Sequence, residues 1–248
     1  MLVSASTDCF HQLPLTEAMS KLVDLEYSSV EIDISDAGHF TPQEIMASLD
    51  QAVEACRNTN RLDVVAYNIY TDVEHKDFIE QFRAIARLAK MTKVVQITVP
   101  SGKLGTPFNE EDERLRLLVA IAEESGVRVS IRSEIGCLSE DPDTVVVLCD
   151  NVEGLGVTLD PSHYICGPNG GKSFDKLIDY VHHVHLRDTS PENLQVRVGQ
   201  GEVEYGRLIN QLRKRRYNRA LSVRIREDEE VDHFVEMRKM RLLLESLL

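Results

Sequence analysis

Short β-branched segments alternate with longer segments of helical periodicity along the whole chain, and this alternation most constrains the fold. Eight candidate strands occupy residues 2–5, 29–34, 62–69, 94–99, 128–132, 156–160, 183–186 and 220–225. The gaps between them carry helix signals, such as the capping box that runs from Thr41 to Glu44. One strand, one helix and two loops need about 30 residues, so 248 residues hold eight such units. The pattern predicts a single (β/α)8 barrel over residues 1–248, with a doubly wound open sheet as the alternative.

The charge balance and the cysteine usage restrict the partners and the compartment. Acidic residues outnumber basic ones by 41 to 28, and the net charge of −13 disfavours binding to a nucleic acid backbone. No apolar run approaches the roughly 18 residues that a membrane helix needs. The five cysteines are widely spaced without a CxxC pair, which is typical of reduced thiols. We therefore expect a cytoplasmic protein without a nucleic acid or membrane partner, whose oligomeric state the sequence leaves open.

Several strands place charged side chains inside the predicted barrel. Side chains alternate along a strand, so where one parity is apolar and faces the helices, the other faces the interior. This rule assigns to the interior Glu31, Asp33, Arg128, Ser130, Arg132, Asp160, His183, His185, Ser222, Arg224 and Arg226, and points His182 toward the helices.

Barrel interiors are usually aliphatic, and an unpaired buried charge costs on the order of several kcal/mol. Arg132, Asp160, His185 and Arg224 also lie near the carboxyl ends of their strands, where barrel enzymes bind substrate. The pattern predicts a functional site at this rim, with a salt-bridged plug without function as the alternative.

Three motifs lie in order in the second half of the chain. They are GVTLDPSH at residues 156–163, VHLRD at 184–188 and VGQGEVEY at 198–205. Their order and spacing over residues 126–227 resemble those of the xylose isomerase-like sugar isomerases and epimerases, a family that also includes endonuclease IV. The resemblance implies a TIM barrel.

The resemblance also implies a set of site residues. In the isomerases and epimerases of this family, a divalent metal bound by two Glu, one Asp and one His polarises the substrate oxygens, and the two glutamates also shuttle a proton. The matching positions are Asp160 and His185 for two metal ligands, and His163 and Arg197 for substrate contacts. Both glutamate positions, however, hold arginine, namely Arg132 and Arg224.

The two arginines change what the site is expected to bind. A guanidinium has five donors, no acceptor and a permanent charge, so it neither ligates a metal nor exchanges a proton near neutral pH. We predict that no metal cofactor binds, and that the guanidiniums pair with Asp160 and an inner acid such as Glu31 or grip a carboxylate or phosphate. The alternative is a relocated metal site built from Glu134, Asp160, His185 and Glu227.

The sequence thus predicts a sugar isomerase- or epimerase-like barrel that binds a small anionic or hydroxylated ligand at its rim without the family's metal. The expected ligand contacts are Arg132, Arg224, Arg197, His163 and Glu31. If catalysis is retained, His163 or His185 is the candidate general base, with Asp160 beside it. The alternative is a non-catalytic relative that binds a ligand or serves as a structural subunit.

Overall fold

Eight parallel strands form a closed barrel in which each strand pairs with its neighbours in chain order. The structure is a computed structural model that describes residues 1–36, 38, 40–71, 75–228 and 230–248, with the backbone alone for 75 and 76. The strands are β1 (Leu2–Ser6), β2 (Ser29–Ser35), β3 (Asp63–Tyr70), β4 (Gln96–Val99), β5 (Arg128–Arg132), β6 (Leu155–Leu159), β7 (Val181–Leu186) and β8 (Ala220–Val223). The predicted (β/α)8 barrel is confirmed.

Helices follow the strands on the outside of the barrel. They are α1 (Leu15–Asp24), α2 (Pro42–Ala47), α3 (Leu49–Arg57), α4 (His75–Thr92), α5 (Phe108–Glu123), α6 (Pro142–Asn151), α7 (Ser162–Ile165), α8 (Tyr205–Lys214) and α9 (His233–Leu247). The capping box begins α2, because the Thr41 hydroxyl accepts from the Glu44 N–H and the Glu44 carboxylate accepts from the Thr41 N–H. Among the described residues, no helix combines the length and the apolar composition that crossing a membrane requires.

The interface between strands and helices is apolar, whereas the barrel interior is polar. The helix-facing residues Val129, Ile131, Val157 and Leu159 are fully buried. Inside the barrel, small polar side chains bond across the axis and between strands: Ser4 with Ser222 at 2.6 Å, Thr98 with Thr158 at 2.7 Å, and Gln96 with Ser130 at 2.7 Å. Hydrogen bonds thus replace much of the aliphatic packing that is common in such barrels.

Two of the predicted interior residues lie outside the interior, for reasons of position along the strand. Arg128 is the first residue of β5 and is exposed at the amino end. Arg226 lies beyond the end of β8, and its side chain is 55% exposed. Strand parity assigns a face to a side chain but does not decide whether a side chain at a strand end is covered.

Candidate functional site

Arg224, directly after β8, lies inside the barrel mouth with 4% of its surface exposed. Its Nη1 and Nη2 donate to the two carboxylate oxygens of Asp33 at 2.8 and 3.0 Å, which is a bidentate pair. Nη2 also lies 3.1 Å from Asp8, and Nη1 lies 3.4 Å from Glu31. Burial alone would lower the pKa of Arg224, but the carboxylates of Asp33, Asp8 and Glu31 hold it well above its usual value. The guanidinium is therefore charged and fully compensated by this chain's own acids.

Glu31 on β2 is fully buried between two histidines of β7. Its Oε2 accepts from His185 Nε2 at 2.9 Å and also contacts His183 Nε2, which lies 3.0 Å from the Ser222 hydroxyl. Burial would raise the pKa of Glu31, but His185 and His183 hold it well below its usual range. Glu31 is thus an ionised acceptor beneath the rim, and its burial argues against the direct ligand contact that the sequence predicted.

Arg132, the last residue of β5, is the second guanidinium inside the mouth, with 5% exposure. Its Nη1 donates to Asn68 Oδ1 at 3.0 Å and to the Ile69 carbonyl at 3.1 Å. Its Nε and Nη2 donate to Glu134 Oε2 at 3.1 and 2.8 Å. Four of its five N–H groups are thereby engaged, so no parallel pair is left for the bidentate grip on a carboxylate or phosphate.

Tyr70 and Glu134 complete the surroundings of Arg132. The Tyr70 ring lies 4.4 Å from the guanidinium carbon, and its hydroxyl donates to Glu134 Oε1 at 2.9 Å. Burial would raise the pKa of Glu134, but Arg132 keeps it below its usual value. Burial and the Glu134 carboxylate raise the pKa of Tyr70, so its hydroxyl keeps its proton.

Asp160 follows β6 and pairs with Arg187 rather than with Arg132 or Arg224, which corrects the predicted pairing. One oxygen accepts from the Ser162 N–H at 3.0 Å and from the Ser162 hydroxyl, and the other accepts from Arg187 Nη2 at 2.8 Å. Burial would raise the pKa of Asp160, but Arg187 and His163 hold it well below its usual value. Arg187 belongs to the VHLRD motif, and its positive charge was the sequence feature from which a partner for Asp160 could have been predicted.

His163 on α7 and His185 on β7 were the candidate general bases. His163 Nδ1 accepts from the Ile135 N–H at 3.2 Å, which assigns the proton to Nε2, 3.7 Å from Asp160. Burial lowers the pKa of His163 to about 4 against the opposing effect of Asp160, so the ring is neutral at pH 7. Nε2 of His185 faces Glu31, and its Nδ1 is buried without a hydrogen-bond partner among the described residues. The lone pair of His163 is thus engaged, and the free lone pair of His185 lies on a ring without exposed surface, whereas a base must reach its substrate.

Hydrogen bonds to Asp188 hold the segment that follows β7. Its Oδ2 accepts from the N–H groups of Gly199 and Gly201 at 2.8 and 3.0 Å. Arg197 in this segment is exposed and donates to the Glu230 carbonyl at 3.2 Å, at a pocket of about 210 Å³. The structure does not bring Arg197 into the Arg224 network.

Replacing Gly201 with alanine is expected to lower the free energy of unfolding by about 1–3 kcal/mol. A Cβ at this position would lie 2.2 Å from Asp188 Oδ1 and 2.5 Å from the Thr189 carbonyl. Gly206→Ala is the matched control, because a Cβ there meets no atom within 4 Å and the residue lies in α8. Urea denaturation of both variants tests this. Equal stability of the two would contradict the fastening role of Asp188.

The closed barrel with charged side chains at the carboxyl ends of its strands places the chain among the (β/α)8 barrels. The family model described as "xylose isomerase-like TIM barrel" matches residues 19–243, and the chain belongs to this family. Among proteins of curated function, none matches the sequence significantly.

Solved structures of similar fold include sugar epimerases. The 3-keto-D-glucoside 4-epimerase of E. coli shares 16% identity at a TM-score of 0.76, with 99% of each chain covered. The D-allulose 3-epimerase of a Methylomonas species, in complex with D-allulose, shares 12% identity at a TM-score of 0.78. The match covers 100% of this chain and 97% of that one. A xylose isomerase-like protein of Mycobacterium smegmatis, in complex with magnesium, shares 16% identity at a TM-score of 0.75. The match covers 100% of this chain and 98% of that one. At these identities the likeness shows the fold.

The residues at the four metal-ligand positions do not fit a divalent metal. Arg132 and Arg224 place positive charge where two carboxylates are needed, and Asp160 is held by Arg187 and Ser162. His185 donates through Nε2 to Glu31 and keeps a free lone pair on Nδ1, but this single neutral donor stands beside two guanidiniums and an engaged Asp160.

A relocated metal site finds no better support. Glu134 is held by Arg132 and Tyr70, and Glu227 is exposed. Among the described residues, a potential ligand cluster does form from Glu31, His183 and His185. The Arg224 guanidinium, however, lies 3.4 Å from the Glu31 carboxylate and opposes a second cation there.

Proposed function

We propose that this barrel binds a small, neutral, hydroxylated sugar-type ligand at its carboxyl-end rim without a divalent metal, and does not carry out metal-dependent isomerisation. One observation carries the proposal: guanidiniums stand at both glutamate positions of the family and are compensated by this chain's own carboxylates. Replacing two metal-binding carboxylates with two fixed cations removes both the metal's ligands and the reason for a further cation.

The hydrogen bonding of the two guanidiniums favours a hydroxylated ligand over an anionic one. The Nη1 and Nη2 atoms of Arg224 are engaged by Asp33, Asp8 and Glu31, and Arg132 has four N–H groups engaged within the chain. A carboxylate or phosphate would have to displace an existing carboxylate from a nearly dry site. A neutral hydroxyl group needs a single donor or acceptor and carries no such cost.

Binding without isomerisation is favoured by the state of the two histidines. Moving a proton between adjacent carbons requires a group with a free lone pair near the substrate. The lone pair of His163 is taken by the Ile135 N–H, and His185 has no exposed surface. We further propose a cytoplasmic location and no nucleic acid partner, supported by five free cysteines and the net charge of −13.

Thermal melts of the EDTA-treated protein test the proposal. After the EDTA has been removed by dialysis, the neutral ketohexoses D-fructose and D-allulose are expected to raise Tm without added metal, whereas D-gluconate, D-fructose 6-phosphate, Mn²⁺ and Mg²⁺ are not. Incubation with D-fructose should yield no D-allulose in carbon-13 NMR spectra. Stabilisation by sugars that requires Mn²⁺ or Mg²⁺, conversion of one sugar to the other, or no response to any neutral sugar would overturn the proposal.

A further inference from the structure

We infer that the neutral sugar binds off the barrel axis, in a pocket between the ends of β3, β4 and β5, where Tyr70, Arg132 and Glu134 recognise its hydroxyl groups. The inference rests on the proposed function and assigns its ligand a site. The pocket holds about 1020 Å³ and is lined by the loops after these three strands and by α5. This volume accommodates a monosaccharide together with several water molecules.

Four of the described side chains at the barrel axis expose almost no surface to a ligand. Glu31 and His185 have no exposed surface, Asp160 has 1% and Arg224 has 4%. These four side chains bond to partners within the chain, so a ligand on the axis would have to break ion pairs that are already desolvated. Binding beside the axis leaves those pairs intact.

The walls of the off-axis pocket are fixed before a ligand arrives. The loops after β4 and β5 are joined by one antiparallel bridge, with Leu104 N–H donating to the Gly136 carbonyl at 3.0 Å and Leu138 N–H donating to the Gly102 carbonyl at 2.8 Å. Buried Glu111 on α5 links this bridge to the helix, because it accepts from the Gly102 N–H at 2.9 Å and pairs with Arg114 at 2.8 Å. A preformed wall reduces the ordering cost of binding.

Residues that line the pocket retain unused hydrogen-bonding capacity. Glu134 Oε1 accepts from the Tyr70 hydroxyl, and a carboxylate oxygen has capacity for a second donor. The Glu134 side chain is 18% exposed and the Tyr70 residue is 42% exposed. Arg132 retains one N–H beyond the four already engaged. An acceptor and a donor side by side match the hydroxyl groups of a polyol.

The remaining lining argues for a neutral ligand with one apolar face. Leu117 and Ile135 present exposed apolar surface, which suits the C–H face of a sugar ring. The charged lining residues are Lys103, Arg114 and Arg132 against Glu110, Glu111, Glu113 and Glu134, so acids exceed bases by one. An anionic ligand would meet the Glu134 carboxylate without a surplus cation, whereas a hydroxyl group would donate to it.

Methyl NMR of the full chain locates the site with D-fructose as the probe. Addition of D-fructose is expected to shift the methyl signals of Ile135 and Leu117, and to leave those of Ile165 and Leu208 unchanged. The latter two residues line a separate pocket of about 680 Å³ beside α8.

Glu134→Gln is expected to weaken D-fructose binding about tenfold, because the amide removes the charged acceptor. Tyr70→Phe is expected to weaken it severalfold.

Glu204→Gln at the second pocket is the matched control and is expected to leave the D-fructose affinity unchanged. Shifts at Ile165 and Leu208 with loss of binding in Glu204→Gln would overturn the off-axis site and leave the proposed function standing. Unchanged affinity in both Glu134→Gln and Tyr70→Phe would also overturn the site. If D-fructose shifts no methyl signal and D-allulose shifts none either, both the site and the proposed function fail.

Discussion

Arg224→Ala is expected to lower the free energy of unfolding by about 3–5 kcal/mol, because it leaves buried carboxylates without their cation. Arg224 is 4% exposed and pairs with Asp33, Asp8 and Glu31. Without Arg224, no guanidinium would stand between the Asp33 and Glu31 carboxylates inside the barrel. The two histidines of β7 would be the remaining donors to Glu31. Urea denaturation at pH 7 measures the loss.

Arg226→Ala is the matched control for this change. Arg226 pairs with Asp8 at 3.1 Å, but its side chain is 55% exposed, so its removal is expected to cost less than about 1 kcal/mol. A second variant, Arg224→Met combined with Asp33→Asn, removes the charge of the bidentate pair on both sides and is expected to recover part of the stability. Equal losses in Arg224→Ala and Arg226→Ala would show that the buried network does not hold the mouth together.

Stability is expected to fall as the pH drops from 7 to 4, with about 3 kcal/mol of the fall arising from His163. Burial depresses the pKa of His163 from 6.5 to about 4 in the folded state. In this window the unfolded chain binds a proton at His163 and the folded chain does not, so acidification favours unfolding. Urea denaturation at several pH values gives the slope of the free energy of unfolding against pH.

His163→Asn is expected to flatten the stability curve between pH 7 and 4, because an asparagine oxygen can accept the Ile135 N–H without titrating. His11→Asn, which removes an exposed histidine, is the control for the substitution itself, and its slope is compared with that of His163→Asn. Below pH 4 a further loss is expected from Asp8, Asp160 and Glu31. Their folded-state pKa values lie below those of the unfolded chain, about 2 for Asp8, so the stability they contribute is lost as the pH falls through the folded values. An unchanged slope in His163→Asn would mean that this ring titrates as it does in water.

The candidate site was partly visible in the sequence. Strand parity placed Arg132, Asp160, His185 and Arg224 inside the mouth, and all four are buried there. In strands 5 and 8 the alternation of apolar and polar residues was sufficient for Arg132 and Arg224, although it also assigned to the interior Arg128 and Arg226, which are exposed. Asp8 was missed, because it lies in a 3₁₀ turn after β1 (Thr7–Phe10) where no period indicates its direction. Tyr70 and Asn68 were also missed, since an ordinary polar or aromatic strand end gives no signal of its partner.

The sequence alone determined the architecture and the face on which Arg132 and Arg224 lie, because both follow from local periodicity: apolar residues at every second position and helix signals every 30 residues or so. Only the tertiary structure decided the pairs. Asp160 bonds to Arg187 at 2.8 Å, and Arg224 bonds to Asp33 from 191 positions away. The stagger between neighbouring strands of a closed barrel sets which side chains meet at the same height, and that stagger is a property of the whole barrel that no short stretch of sequence carries.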